Sequence, residues 1–262
     1  MSKIRAFDVL GNIAIVKFPR NFKLVDKKKF ANKILKDNAS IKTVLEKVGG
    51  FSGRLRKMQT KYVAGEKTKE ILYKENACVF RFNIDETYFS SRLSNERKEL
   101  ASKVKKGDNV LVMFAGVAPF PIVIAKNSKA DKIYSNEINR EANKYAKLNI
   151  ELNKVKSRVE LIPGDIKKVA RKLKNKKAKF NVIVMPRPQL KNSFLEQAFM
   201  LSKKATRIFY YDFCKEDEKD LIVEKIKKEA KKFKTKIKIL KTKKAGEIAP
   251  YRIRLRIDFK IV

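Results

Sequence analysis

The sequence predicts an α/β protein that combines a Rossmann-like domain with a small α+β domain at its N-terminus. From about Tyr88 onward, short apolar segments alternate with amphipathic segments of helical period, which is typical of a parallel sheet covered by helices on both faces. Before that point, apolar runs punctuated by glycine flank a helical stretch. The length of 262 residues accommodates both domains. We therefore expect a small basic domain at residues 1–69 and a larger one at 70–262, with 70–105 as its β/helix lead-in.

The small domain begins with strands. Two apolar runs in AFDVLGNIAIVKF flank Leu10-Gly11-Asn12, which indicates a β-hairpin. Apolar spacing from Asp26 to Val48 predicts helices. The stretch 49–85, which several glycines interrupt, predicts further strands.

The larger domain is predicted as an alternating series of strands and helices. It opens with a helix that starts at a serine cap in SSRLSNERKELASKV. The predicted strands are 110–115, 132–136, 158–162, 180–185, 205–211, 235–240 and 252–261. The predicted helices between them are 118–127, 139–152, 166–173, 191–203 and 216–233. The last strand follows a long connection, so we expect it to enter the sheet antiparallel.

Nucleic acid is the partner that the charge predicts. Lys and Arg number 65 against 28 Asp and Glu, a net charge of +37 that attracts polyanions. A Lys-rich composition of the kind favoured at high growth temperature would raise acidic residues in step, and they are not raised here. A membrane is disfavoured because no basic helix has a clean apolar face, and because the uncharged stretch VLVMFAGVAPFPIVIA is short and interrupted by prolines.

Several classes of site are excluded by composition. Histidine is absent, which removes His general bases, His metal ligands and Ser/His or Cys/His nucleophiles, and we predict no metal site. Cys78 and Cys214 form no CxxC pair, which excludes a zinc ribbon and a disulfide framework. We expect two buried thiols in a reducing cytoplasm. The first residues, MSKIRAFDVL, lack the apolar core of a signal peptide.

A cofactor site is predicted at the end of the first strand of the larger domain, because doubly wound sheets bind ligands where the strand order reverses. That strand runs into FAGVA at residues 114–118, whose small side chains allow close approach. Glu137 ends the second strand, where a carboxylate accepts hydrogen bonds from a ribose diol. Asp165 follows the third, where its oxygens suit the exocyclic amine of an adenine. The predicted contacts are Phe114, Ala115, Gly116, Val117, Glu137, Ile138, Asp165 and Ile166.

The loop favours S-adenosylmethionine over a dinucleotide. A dinucleotide needs several glycines that seat a pyrophosphate on a helix N-terminus. This turn holds one glycine, with Ala118 and Pro119 where the helix should offer free N–H groups. S-adenosylmethionine has no phosphate and tolerates such a loop. The alternative without a ligand is an apolar strand that ends in a tight turn.

Several segments resemble the archaeal and eukaryotic tRNA (guanine-37-N1)-methyltransferases and their relatives in wyosine synthesis. YFSSRLSNER resembles the family's lead-in to its catalytic domain, MFAGVAPFPI its FAGVGPF loop, and VMPRPQLKNSFL the place of its NLP…FL motif. AFDVLGNIAIVKFP and APYRIRLRIDFKI resemble its small domain and final strand. The resemblance covers nearly the whole chain. It implies a class I methyltransferase fold and methyl transfer from S-adenosylmethionine to N1 of guanine 37, beside the anticodon.

Two positions depart from the family's pattern. Ala118 replaces the second glycine of the FAGVGPF loop, and Pro186 stands where many members have an Asn that helps to position the guanine. The MPRP form resembles an archaeal subgroup in which some members also methylate the wyosine precursor. The alternatives are therefore C7-methylation of that tricyclic precursor, alone or together with N1 methylation, and aminocarboxypropyl transfer from the same cofactor. A non-catalytic RNA-binding module is an alternative of a different class.

Arg92 is implied as the contact to guanine O6, by its family position and because a guanidinium offers fixed, permanently charged donors. A phosphate contact or a salt bridge is the alternative. The neighbouring Glu96 and Arg97 are interpreted as an ion pair on a helix surface.

The target base is expected to leave its stack, as it must for an enzyme that works on a base edge. Tyr88 and Phe89 are candidates to stack on it, with plain core packing as the alternative. Pro186 and Pro188 would stiffen the wall beside the base.

The surface for the tRNA anticodon loop is predicted on the small domain and the Lys-rich helices. The segment FSGRLRKMQTKY mixes cations with aromatic residues, which suits RNA backbone and unstacked bases. A solvated charged face is the alternative. The cations expected to bind RNA are Arg54, Arg56, Lys57 and Lys61, and we expect a monomer.

Overall fold

The computed structural model describes residues 7–50, 53, 55 and 57–262. The chain divides into two compact units, Met1–Ser91 and Arg92–Val262. The hairpin that follows residue 69 therefore belongs to the first unit, and the predicted boundary between residues 69 and 70 stays a prediction.

In its described residues, the first unit holds a four-stranded sheet in the order β1-β2-β3-β4 and one helix, α1. The elements are β1 Asp8–Leu10, β2 Ile13–Val16, α1 Leu24–Asp37, β3 Thr43–Lys47 and β4 Thr60–Gly65. The predicted β1–β2 hairpin is confirmed, with Leu10 opposite Ile13. The helix predicted as far as Val48 is wrong in its second half, because Thr43, Val44 and Leu45 are buried in a strand that pairs with β2 and β4.

A two-stranded hairpin completes the first unit, formed by β5 Glu70–Glu75 and β6 Cys78–Asn83. Phe89 packs against it, with its ring 4.7 Å from that of Phe82 and 5.0 Å from that of Tyr73. Because Phe89 is only 8% exposed, core packing describes it, rather than stacking on a base.

The second unit is built on a seven-stranded sheet in the order β12-β13-β11-β10-β7-β8-β9. Its strands are β7 Asn109–Met113, β8 Lys132–Asn136, β9 Val159–Leu161, β10 Phe180–Met185, β11 Ser202–Lys215, β12 Ile237–Ala249 and β13 Arg252–Ile261. Its helices are α2 Ser94–Lys103, α3 Pro119–Asn127, α4 Arg140–Leu152, α5 Ile166–Asn175, α6 Leu195–Met200 and α7 Lys219–Lys232. The strands β7 to β11 pair in parallel, so the predicted doubly wound α/β architecture is confirmed.

The last strand is antiparallel, as expected, and lies between β11 and β12. It is not reached by a long connection, however, because β12 extends to Ala249 and joins β13 through a tight turn. The edge strand β12 is rich in exposed lysines, which protect an edge from further pairing but hide its strand pattern. The helix predicted at 191–203 is shorter, at Leu195–Met200.

The chain order reverses at β7, with β8 and β9 on one side and β10 and β11 on the other. On one face of the sheet, α5, α6 and α7 bury Ala170, Ala198 and Ile226 in a common core. Loops that follow β7 and β10 therefore meet at the point where this architecture binds ligands. The expected burial of Cys78 and Cys214 is confirmed, and neither of the two is part of a disulfide. Within the described residues, none of the helices is both long and apolar enough to span a bilayer.

Candidate cofactor and acceptor site

The loop after β7 is a tight, left-handed turn. Phe114, Gly116 and Ala118 have φ of 58°, 58° and 66°, and the Ala118 N–H donates to Ala115 O at 3.0 Å. Left-handed backbone is unstrained for glycine but costs other residues about 1 kcal/mol. This left-handed backbone explains why glycine suits position 118. In this chain Ala118 adopts the same conformation in spite of the conformational strain.

Glu137 ties this loop to the end of β8. Its Oε2 accepts from Gly116 N at 2.8 Å, and its Oε1 accepts from the N–H groups of Ile138 and Asn139, each at 2.8 Å. Burial raises the pKa of the Glu137 carboxyl, while the three backbone donors oppose that shift. Three of about four acceptor positions of a carboxylate are thereby used. One remains for a ribose hydroxyl, so a contact to both hydroxyls of a diol would require a backbone donor to move.

Asp165 has a structural role that sequence reasoning missed, because it caps α5. Its Oδ1 accepts from Lys167 N at 2.9 Å. Gly164 N donates to Glu137 O at 2.8 Å, which holds this loop against the β8 loop. Ile166 is 3% exposed in the core, so its predicted cofactor contact would involve the main chain. The loops after β7, β8 and β9 thus form one hydrogen-bonded set.

The start of α3 does not suit a pyrophosphate. Pro119 and Pro121 occupy its first turn and carry no N–H, and the Ile122 N–H is already bonded to Ala118 O. An anion at a helix N-terminus needs several such donors. A ligand without phosphate, held by a carboxylate at Glu137, fits these residues. Val117 is fully buried and Ala115 nearly so, which leaves the backbone of the turn to approach that ligand.

The segment after β10 carries the predicted wall residues Pro186 and Pro188, both half-buried. Between them lies Arg187, which sequence reasoning passed over. Its side chain is 2% exposed and its Nη2 lies 2.8 Å from Asp212 Oδ1. Asp212 lies on β11, far from Arg187 in the sequence, so no local sequence pattern predicts this ion pair. The rings of Phe114, in the β7 loop, and Phe194, directly before α6, pack edge to face with centroids 4.9 Å apart.

Arg92 is exposed in a short 3-10 turn, Ser91–Leu93, directly before α2. The interpretation of Glu96 and Arg97 as a surface pair is wrong, because both are buried. Glu96 instead binds Arg256 Nη1 at 2.6 Å, and the Arg97 guanidinium lies over the Phe120 ring.

Ion pairs therefore anchor the helix that follows Arg92. Besides Glu96, Arg256 holds Glu99 at 2.6 Å, and its hydrogen bond lowers the pKa of the Glu99 carboxyl to about 2. Both glutamates also accept from Lys243 of β12.

The remaining predicted site residues belong to the first unit. Tyr88 is half-buried, and Lys57 and Lys61 are exposed. Arg54 and Arg56 lie outside the described residues. All these assignments stay predictions.

Comparison with known proteins gives matches over both units. Residues 71–239 match the TRM5/TYW2 methyltransferase domain, and residues 2–68 match the TYW2 N-terminal domain. The tRNA (guanine(37)-N(1))-methyltransferase Trm5b of Pyrococcus abyssi is 32% identical over 98% of this chain and 74% of that protein. Its crystal structure has a TM-score of 0.84, covering 98% of this chain and 75% of that one.

Two further matches bear on the substrate. The tRNA (guanine(37)-N(1))/4-demethylwyosine(37)-methyltransferase Taw22 of Nanoarchaeum equitans is 34% identical over 98% of this chain and 100% of that protein. The structure of aTrm5 in complex with tRNALeu is 28% identical with a TM-score of 0.82, covering 98% of this chain and 72% of that one.

Proposed function

The chain belongs to the TRM5/TYW2 methyltransferase family, and we propose that it methylates N1 of guanine 37 in tRNA. It is an S-adenosylmethionine-dependent enzyme that acts on tRNA. The observation that carries the proposal is that hydrogen bonds around Glu137 link the loops after β7, β8 and β9, at the point where the strand order of the sheet reverses. These loops lie in a chain whose matches to the family extend over both units.

The cofactor would be held by the loops after β7, β8 and β9. The free acceptor position of Glu137 suits a ribose hydroxyl, and the small residues Ala115 and Gly116 let the backbone approach. Asp165 would bind the adenine amine while it caps α5. When bound, S-adenosylmethionine supplies a methyl group on a positively charged sulfur, which is a strong electrophile.

The acceptor base would be held by residues at the other side of the switch point and before α2. Arg92 donates to guanine O6, where negative charge develops as the N1 proton leaves. Pro186 and Pro188 limit the motion of the wall beside the base, and Tyr88 stacks on its face. Lys57 and Lys61, with Arg54 and Arg56, would bind the RNA backbone. We also propose that the enzyme works as a cytoplasmic monomer.

A second candidate function is methylation of the 4-demethylwyosine base at position 37. The observation that favours it is the Pro186-Arg187-Pro188 wall, which lacks the amide that many family members place beside guanine. Taw22, whose whole length this chain matches, is named for both reactions. The two functions are compatible in one site.

Nucleoside mass spectrometry of treated tRNA tests both functions. Purified protein is incubated with S-adenosylmethionine and either tRNA with guanosine 37 or tRNA with 4-demethylwyosine 37. We expect N1-methylguanosine from the first substrate, and a methyl adduct of the tricyclic base from the second if the enzyme is bifunctional. Absence of N1-methylguanosine would refute the main proposal, and an aminocarboxypropyl adduct would establish the other transfer reaction.

A further inference from the structure

Arg187, within the Pro186–Leu190 segment, belongs to a buried polar network with Tyr210 and Asp212 of β11. Arg187 Nε donates to the Tyr210 hydroxyl at 3.1 Å, and that hydroxyl donates to Asp212 Oδ2 at 2.9 Å. Asp212 Oδ1 also accepts from Arg187 Nη2 at 2.8 Å. Tyr210 is 0% exposed, and burial raises its pKa, so the phenol keeps its proton and remains a donor.

The same guanidinium also shapes the Pro186–Leu190 segment. Arg187 Nη1 donates to the backbone oxygen of Pro188 at 2.8 Å and to that of Leu190 at 3.1 Å. Residues 186–190 are neither helix nor strand, and two of the five are prolines without an N–H. The segment therefore has few backbone bonds of its own, and one side chain supplies two of its fixed points.

Stability alone is a weak reason for such a network. Taking a guanidinium and a carboxylate out of water carries a large desolvation cost, and apolar residues of similar volume often stabilise a fold equally well. Asp212 additionally needs Lys225 at 3.3 Å and its neighbour Phe213 N at 2.9 Å to satisfy its oxygens. What an apolar side chain cannot do is hold two backbone carbonyls at fixed positions.

We propose that Arg187 is a positioning residue that fixes the shape of the acceptor wall and thereby decides how well guanine and the larger tricyclic base are accommodated. It acts through Pro186 and Pro188 and does not itself touch the base. This inference rests on the proposed function, because it takes the segment after β10 as the wall of the acceptor site.

The test compares Arg187→Met with a matched control, Arg158→Met. Arg158 also uses its guanidinium to hold backbone carbonyls, those of Ser128 at 3.0 Å and Ala130 at 2.6 Å. It directly precedes β9, an edge strand of the sheet, whereas Arg187 follows β10, a central strand. For each variant, single-turnover methylation rates at saturating tRNA are measured with guanosine-37 tRNA and with 4-demethylwyosine-37 tRNA. Thermal unfolding and calorimetric affinity for S-adenosylmethionine are measured on the same samples.

We expect Arg187→Met to lower the guanosine rate at least about tenfold, since small misplacements of a reacting group have effects of this size. The ratio of the two rates should change by more than about threefold, while cofactor affinity changes less than twofold. Arg187→Lys should not restore the ratio, because an ammonium cannot reproduce the planar fork of donors. Arg158→Met should leave the ratio unchanged.

If Arg187→Met does not fold, Tyr210→Phe serves as a second variant that tests the same ratio of rates. It removes one link of the network and keeps the ring, so we expect a smaller shift of the ratio in the same direction. An unchanged ratio in the folded variants would overturn the inference, since a structural role predicts equal losses for both substrates. If the wild-type protein methylates neither of the two tRNAs, that result would refute the proposed function instead.

Discussion

At the scale of the residue, Glu137 has one observed task, and we propose a second for the same carboxylate. It closes the β7 loop through Gly116 N, and its remaining acceptor position would bind a ribose hydroxyl of the cofactor. We predict that Glu137→Ala weakens S-adenosylmethionine binding by about 1–3 kcal/mol, the cost of losing a charged hydrogen bond. Calorimetry measures the affinity, with Glu141→Ala as the control because Glu141 pairs with Lys144 on the same helix. An unchanged affinity for Glu137→Ala would show that the second strand does not hold the ribose.

Arg92 tests the mechanism at the same scale. If its guanidinium stabilises charge on O6 only as the proton leaves N1, it acts mainly in the transition state. We predict that Arg92→Ala lowers the single-turnover rate by about a hundredfold or more, as for loss of an oxyanion donor. Affinities for tRNA and cofactor should fall far less, and Arg92→Lys should not restore the rate fully. A phosphate contact predicts the reverse, weak tRNA binding with a nearly normal rate at saturation.

At the scale of the element, ion pairs hold α2, and with it the turn that carries Arg92. The Glu99 carboxyl has its pKa lowered to about 2 by Arg256, so the stabilisation is complete above the ordinary pKa of 4.5 and is lost as the pH falls toward 2. We predict that Glu99→Gln destabilises the protein by about 1–2 kcal/mol at pH 7, since solvent screens part of the pair. The difference from wild type should shrink on going to pH 3.

Denaturant unfolding at several pH values measures this difference. Glu247→Gln is the control, because Glu247 pairs with Lys244 at the exposed surface, where ion pairs contribute little. A destabilisation by Glu99→Gln that does not depend on pH would contradict the assignment of the stabilisation to the charged carboxylate.

Elements differ in how well their own sequence predicts them. The strands predicted at 132–136 and 180–185 match the structure to the residue. The second is a mostly apolar run that ends at a proline, which is a clear local signal. The helix predicted across Thr43–Lys47 is wrong, because Ile41 and Leu45 are spaced as in a helix while pairing with β2 and β4 favours a strand.

Site residues are likewise predictable where the signal is local in the sequence and unpredictable where it depends on distant residues. The β7 turn and Glu137 could be found because each ends a buried strand. Arg187 could not, because its partners Tyr210 and Asp212 lie on β11 and become neighbours only when the sheet forms.

At the scale of the whole molecule, the net charge of +37 is distributed unevenly among the helices. The helix α5 begins directly after Asp165, in the hydrogen-bonded loops around Glu137, and its sequence IKKVARKLKN contains no acidic residue. The helix α7 is as rich in lysine but includes Asp220, Glu224 and Glu229, and Glu224 binds Lys227 at 2.7 Å. The field of α7 is therefore partly neutralised by its own acids, whereas that of α5 is not.

We predict that the exposed cations of α5 contribute more to tRNA binding than an equal number on α7. Two variants remove the same charge by substitution with Gln, one at Lys168, Arg171, Lys172 and Lys174, the other at Lys227, Lys228, Lys231 and Lys232. Affinity for tRNA is measured between about 50 and 200 mM salt, where each cation that contacts a phosphate steepens the logarithmic salt dependence of that affinity by roughly one.

The α5 variant should lose affinity for tRNA and show a flatter salt dependence. The α7 variant should change both only slightly, because Asp220, Glu224 and Glu229 already neutralise part of the field of that helix. Equal losses in the two variants would mean that the overall charge, and not a particular face, attracts the RNA.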